Sequence, residues 1–174
     1  MIITLIGYMA SGKSTLGREL AVKLNYDFID LDDYIEAKEN TSVSNIFKTR
    51  GEIYFRSIET KYLKALIEND HNLILSLGGG TPCYGNNMEM LLNTPHVKSI
   101  YLKASIPTLV ARLKNETCKR PLIAHLATDE QLTEFIGKHL FERTQFYAQS
   151  QLTLLTDNKD SVTIVDEIMR QLIQ

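Results

Sequence analysis

The sequence predicts an α/β fold in three layers, a five-stranded parallel sheet with helices on both faces. Three observations carry this expectation. Gly7-Tyr8-Met9-Ala10-Ser11-Gly12-Lys13-Ser14-Thr15 fits G-x-x-x-x-G-K-[ST], and it sits between an apolar run of strand length and a segment of helical period. Five strand-like runs alternate with helical segments along the chain. Leu73-Ile74-Leu75-Ser76-Leu77 is an apolar run of the kind that marks a parallel strand buried on both faces.

The first strand is Ile2 to Ile6. In the loop after it, Gly7 and Gly12 allow turns that a side chain would block. The loop's N–H groups then form a concave nest for phosphate oxygens, and the helix after it adds unpaired N–H groups and a positive dipole end. Leu16, Leu20 and Leu24 recur at helical spacing in that helix. Lys13 supplies a mobile charge for β- and γ-phosphates, the Ser14 hydroxyl suits Mg²⁺, and Thr15 suits an inner phosphate. A chance Gly-Lys-Ser turn is the competing reading, and the flanking strand and helix argue against it.

Tyr26 to Ile29 reads as a second strand, with Asp30-Leu31-Asp32-Asp33 at its end. In extended chain Asp30 and Asp32 share one face, and both fall beyond the carboxyl end of the strand, where ligands of open α/β sheets sit. The plainer reading is that these acids cap a helix over Tyr34 to Glu39. Beside a phosphate site they can also serve Mg²⁺ and an acceptor hydroxyl.

Thr41 to Phe47 reads as a short capped helix, Gly51 interrupts, and Glu52 to Ile67 forms a long amphipathic helix. On pattern alone Arg56 is a surface partner of Glu52 or Glu59. The third strand, Leu73 to Leu77, ends in Gly78-Gly79-Gly80. One glycine suffices for a tight turn, so three imply that something approaches the backbone closely. This strand lacks a terminal acid, so an acid for Mg²⁺ would have to come from elsewhere, and Asp30 is the candidate. A short helix follows over Asn87 to Leu92, then a fourth strand over Val97 to Leu102.

Ser105 and Pro107 start a helix that carries Arg112. Lys114 to Leu122 is polar and basic and reads as a mobile loop; Arg120 in it is either a solvated charge or a lid arginine. Thr128-Asp129-Glu130-Gln131 fits a capping box before a helix to about Ser150. Within that helix His139 reads as a bystander and Arg143 as a surface cation near the helix end. Leu152 to Thr156 is the fifth strand, and Ser161 to Leu172 the closing helix. Crossovers should be right-handed.

Composition narrows the function classes. The 174 residues are 44% hydrophobic with a net charge of -2, which suits one globular domain and argues against a nucleic-acid or membrane partner. Two cysteines, Cys83 and Cys118, without metal spacing suit a reducing compartment. No leader and no long apolar span are evident, so a cytoplasmic protein is expected, and a monomer at this size.

Taken together the motifs resemble shikimate kinase. The resemblance runs the whole length and rests on the loop Gly7 to Gly17, Phe28-Ile29-Asp30-Leu31-Asp32, Gly51-Glu52-Ile53-Tyr54-Phe55-Arg56-Ser57-Ile58-Glu59, Ser76 to Gly80, Arg120-Pro121-Leu122 and Arg143-Thr144-Gln145-Phe146-Tyr147. It implies one P-loop kinase domain over 1–174, with strand order 2-3-1-4-5, a mobile lid over about 114–126 and substrate-binding helices over about 34–67. It implies transfer of the γ-phosphoryl of MgATP to the 3-hydroxyl of shikimate, a step towards chorismate and the aromatic amino acids. Asp32, Lys13 and Arg120 are then catalytic. Asp32, Arg56, Arg143 and the Gly78, Gly79 and Gly80 backbone hold shikimate. Ala10, Ser11, Gly12, Lys13, Ser14, Thr15, Arg112 and Arg120 hold the nucleotide, with Arg112 beside adenine. Ser14 and Asp30 serve Mg²⁺. Ala10 stands where many relatives have glycine, and alanine fits if its φ is negative.

Two other readings compete. One is a different small-molecule kinase of this fold, acting on gluconate or a nucleotide. The other is a nucleotide-dependent switch without catalysis, which would bind ATP with no acceptor-dependent turnover.

Overall fold

The structure is a computed structural model, and it describes residues 1–69, 71–114, 116, 122–126 and 128–173. Arg120, Cys118 and nearly half of the expected lid lie outside the described residues.

Five parallel strands form one sheet: β1 (Ile2–Ile6), β2 (Asp27–Asp30), β3 (Leu73–Ser76), β4 (Val97–Lys103) and β5 (Leu152–Leu155). Their order is β2-β3-β1-β4-β5. Register is set by pairs such as Ile3 with Ile74 and with Lys98 on either side of β1. β1 is central and all five of its residues are buried. The chain leaves β1 towards β2 and β3 on one side, and later fills β4 and β5 on the other. The order therefore reverses beside β1, and the crevice for ligands in such sheets lies at the strand ends there.

The helices are α1 (Lys13–Leu24), α2 (Leu31–Glu39), α3 (Val43–Ile67), α4 (Asn87–Asn93), α5 (Ile106–Leu113), α6 (Asp129–Tyr147) and α7 (Ser161–Ile173). Alternation along β1 divides the core. Ile3 and Leu5 face Leu16 and Leu20 of α1 and Ile164, Val165 and Ile168 of α7. Ile2 and Ile6 face Leu31 and Ile35 of α2, Leu63 and Ile67 of α3 and Leu91 of α4. Burying each such side chain contributes about 1.5–3 kcal/mol, so both layers are needed to hold the sheet. A third cluster packs Tyr8 with Leu109, Leu113, Leu132 and Ile136, fixing α5 and α6 beside the loop after β1. Among the described residues no helix is long and apolar enough to cross a membrane.

Two expectations need correction. Asp32 is not in extended chain: α2 starts at Leu31, Asp30 is its N-cap, and Asp32 lies in its first turn. The Asp30 side chain accepts from the Asp32 N–H, so the chain turns into the helix directly after β2. Ala10 has φ 61°, not a negative value, so the loop demands a left-handed residue there and alanine takes it at some strain. The interruption expected at Gly51 is present: within the span of α3 that residue alone leaves helical geometry, at φ 80°, ψ 172°, and the kink there separates the two helical stretches expected between Thr41 and Ile67.

Candidate active site

The loop after β1, the start of α2 and the turn after β3 converge at the carboxyl ends of the strands. They line a cavity of about 610 Å³, whose walls include residues 9–16, Asp30, Asp32 and residues 76–79. Arg112, Glu116, Lys159, Ser161 and Ile164 close its far side.

The start of α1 is built for an anion. The N-caps of α2, α3, α5 and α6 are Asp30, Ser42, Ser105 and Thr128, and each side chain accepts a backbone N–H of the first turn. The N-cap of α1 is Gly12, at φ 100°, with no side-chain cap and no acid in the first turn. Its first-turn N–H groups and positive dipole end therefore face the cavity with no side-chain cap over them. Ser11 Oγ is likewise buried without a hydrogen-bond partner among the described residues. Lys13 Nζ bends back to the carbonyls of Gly7 (3.0 Å) and Tyr8 (2.9 Å). Arg112 Nη1 donates to Ala10 O at 2.9 Å, which ties α5 to the strained point of the loop.

Ser14 Oγ donates to Asp30 Oδ2 at 2.7 Å. A hydroxyl and a carboxylate oxygen thus meet at the cavity wall, a pair of hard oxygen donors. Asp32 lies deeper. Burial first, then the nearby negative charges of Asp30 and Glu59, push its carboxyl up to about 6 against the opposing pull of Lys13.

The triple glycine explains how the polar side chains gather. A β-carbon on Gly78 would stand 3.1 Å from Asp32 Oδ1; on Gly79, 3.6 Å from Arg143 Nη1; on Gly80, 2.8 Å from Arg56 Nη2. The objects that approach this backbone include the side chains of Asp32, Arg143 and Arg56, with Thr81 Oγ1 beside Gly78 and the Gly7 carbonyl beside Gly79. None of the three glycines has positive φ, so at Gly78 and Gly80 space and not conformation calls for glycine, whereas a β-carbon at Gly79 would meet only ordinary contacts.

Arg56 is gripped from several sides. Its Nη1 donates to Glu59 Oε2 at 2.9 Å, its Nε reaches Glu52 at 3.4 Å, and its guanidinium lies 3.8 Å from the Tyr84 ring centre. Glu59 is 1% exposed and also accepts from Thr81 Oγ1 at 2.6 Å. Both surface partners weighed for Arg56 are present, yet one of them is buried at the turn after β3. Arg143 stands 5.8 Å from the Tyr8 ring centre, and on the same helix Tyr147 OH donates to Gly79 O at 2.5 Å.

The structure therefore brings Ala10 to Thr15, Asp30, Asp32, Gly78, Gly79 and Arg112 to one cavity. It sets Arg56 and Arg143 against the glycine turn that forms part of its wall, though outside the cavity lining.

The family model described as "SKI: Shikimate kinase" matches residues 9–173. The chain belongs to the shikimate kinase family. A shikimate kinase from Flavobacterium psychrophilum is 47% identical over 166 residues, 95% of each chain. The crystal structure of a shikimate kinase from Bacteroides thetaiotaomicron superposes with a TM-score of 0.91 at 35% identity, covering 100% of this chain and 99% of that one. A shikimate kinase from Acinetobacter baumannii, solved in complex with shikimate, gives 0.86 at 28% identity over 99% and 92%.

Some features of this shikimate kinase site escaped the sequence. Lys159, Ser161 and Ile164 reach the cavity because β5 is next to β4, so the turn into α7 arrives beside Arg112. Asp157 orders that turn by accepting from Ser105 N and Oγ at 3.0 and 2.9 Å. No local pattern announces that approach. The burial of Glu59 is also silent in sequence, since an i,i+3 Arg–Glu pair usually marks a solvated face.

Proposed function

We propose that the protein transfers the γ-phosphoryl group of ATP to the 3-hydroxyl of shikimate, giving shikimate 3-phosphate and ADP. The observation that carries this reading is the packing of Asp32, Arg143 and Arg56 on three successive glycines beside an uncapped phosphate loop. A small acid with several hydroxyls needs such a set: arginine forks for its carboxylate, and a carboxylate with backbone groups for its hydroxyls.

In this reading Arg56 and Arg143 hold the shikimate carboxylate, and the backbone of Gly78 to Gly80 meets the ring hydroxyls. Asp32 orients the acceptor hydroxyl and takes its proton. A carboxyl raised to about 6 is ionised at neutral pH yet more basic than an ordinary aspartate, which suits that task. Ala10 to Thr15 hold the phosphates through N–H groups and hydroxyls. Lys13 exchanges the carbonyls of Gly7 and Tyr8 for the β- and γ-phosphates. Arg112 flanks the adenine, and Arg120 closes over the γ-phosphate as part of a lid over about 114–126. Catalysis is then positioning and charge neutralisation.

Mg²⁺ fits the Ser14–Asp30 pair, because it takes hard oxygens and is usually held by one or two carboxylates plus substrate phosphates. When bound it neutralises phosphate charge. We also expect a cytoplasmic monomer.

The test is incubation with MgATP and a panel of acceptors. ADP release should require shikimate and not occur with gluconate or nucleoside monophosphates. ADP release indifferent to shikimate would sink the proposal, leaving the switch reading.

A further inference from the structure

We infer that Tyr8 and His139 are positioning residues that fix the acceptor-binding arginine, Arg143, to the nucleotide loop; this rests on the shikimate reading of Arg143. Tyr8 is the first variable residue of the loop and is 1% exposed. Its hydroxyl meets His139 Nδ1 at 3.1 Å, across 131 residues of sequence. A buried hydroxyl without a partner is costly, so this bond holds α6 against the loop. His139 and Arg143 are one helical turn apart and share a face of α6. The His139 ring is itself wedged by Phe135, with ring centres 4.2 Å apart.

Tyr8 is thus a junction of three contacts. Its carbonyl accepts from Lys13 Nζ at 2.9 Å, its hydroxyl meets His139, and its ring centre lies 5.8 Å from the Arg143 guanidinium. One turn beyond Arg143, Tyr147 pins the same helix to Gly79 O. Arg143 therefore hangs between two pins, one on each ligand-binding loop. Tyr147 pins it to the acceptor turn. The Tyr8–His139 pair pins it to the phosphate loop, and losing that pin loosens the guanidinium and weakens its hold on the acceptor carboxylate.

The experiment compares Tyr8→Phe, His139→Gln and the double variant with the parent chain. Tyr8→Phe keeps the ring beneath Arg143 and removes only the hydroxyl. Each single change should raise the shikimate KM by about three- to tenfold, as expected for loss of one hydrogen bond, with kcat and the ATP KM within about twofold. The double variant should match the larger single effect, because both changes cut one bond. A shikimate KM that stays within twofold, effects that multiply in the double variant, or a fall in kcat alone overturns the inference. The pin is also read without any acceptor, from the imidazole ¹⁵N shifts of His139. They should move by several ppm in Tyr8→Phe, and unmoved shifts overturn the pin whatever the acceptor proves to be. Absence of shikimate turnover in the parent chain, with those shifts moving, would instead strike the proposed function and leave the pin standing.

Discussion

Arg56 lies on Gly80: a β-carbon added to that glycine would stand 2.8 Å from Nη2 and 2.9 Å from Nη1. The backbone there, at φ -90° and ψ -22°, is ordinary for any residue. Glycine is required at this point only because a guanidinium occupies the space a methyl group would take.

Gly80→Ala should therefore move Arg56 without disturbing the turn. The Arg56 guanidinium is held by Glu59, which is itself held by Thr81, so it cannot yield freely. The shikimate KM should rise by about tenfold, because small misplacements of a positioning group are costly, while the ATP KM stays the same. Steady-state kinetics with each substrate varied in turn check this. An unchanged shikimate KM would remove Arg56 from the acceptor site.

Asp32 links activity to stability through its raised carboxyl. The folded-state value of about 6 exceeds the usual 3.8, so between those values the native protein binds more protons than the unfolded chain. This group's contribution is therefore most favourable below about pH 4 and is lost as pH rises to about 6. Asp32→Asn should remove that penalty: at pH 7 it should stabilise the fold by up to about 3 kcal/mol, and at pH 4 hardly at all. The same change should lower kcat by at least about a hundredfold, since the proposed base is gone. In the parent chain, kcat/KM for shikimate should fall in acid along a titration centred near 6. Thermal melts at both pH values and a pH–rate profile test this together. A variant that is less stable than the parent at pH 7 would rule out the buried, strained carboxylate.

How much of this was legible in the residues differs by element. The loop from Gly7 to Thr15 and the five strands announce themselves, because their signals are local: fixed spacing in one, apolar runs in the others. The geometry at Asp32 was not legible. Asp30-Leu31-Asp32 can be read as a strand end or a helix start, and the choice falls to the side-chain cap that Asp30 makes. Both readings bring the two acids to one place, which is why the wrong backbone still put both acids at the cavity beside the phosphate loop. The triple glycine advertised a close approach without saying by what. The answer, three side chains from three different helices, exists only once α2, α3 and α6 converge. Lys159 and Glu59 owe their places wholly to tertiary packing.

Ala10 gives a test of backbone strain alone. A left-handed conformation costs a non-glycine residue about 1–2 kcal/mol, and glycine escapes that cost while losing about 0.4–1 kcal/mol through the freer unfolded chain. At φ 61° the first effect should win. Ala10→Gly should stabilise the fold by about 0.5–1 kcal/mol, read as a higher urea midpoint at constant slope. A destabilised Ala10→Gly would mean that the residue keeps a negative φ after all.

Asp30 serves two purposes that substitution can separate. Its Oδ1 caps α2 by accepting from Asp32 N at 3.2 Å, and its Oδ2 receives the Ser14 hydroxyl at 2.7 Å. Asparagine caps a helix about as well as aspartate, so Asp30→Asn should leave stability within about 0.5 kcal/mol. It lacks the charge that favours a divalent cation, so the Mg²⁺ concentration for half-maximal activity should rise by about tenfold. Asp30→Ala should show the same Mg²⁺ defect and, in addition, lose about 1 kcal/mol with the cap. Activity titrated with Mg²⁺ at fixed ATP, alongside urea melts of both variants, separates the two. Equal stability loss in the two variants would show that the capping bond contributes nothing. An unaltered Mg²⁺ requirement in both would move the metal away from Asp30 and leave Ser14 to serve it without that carboxylate.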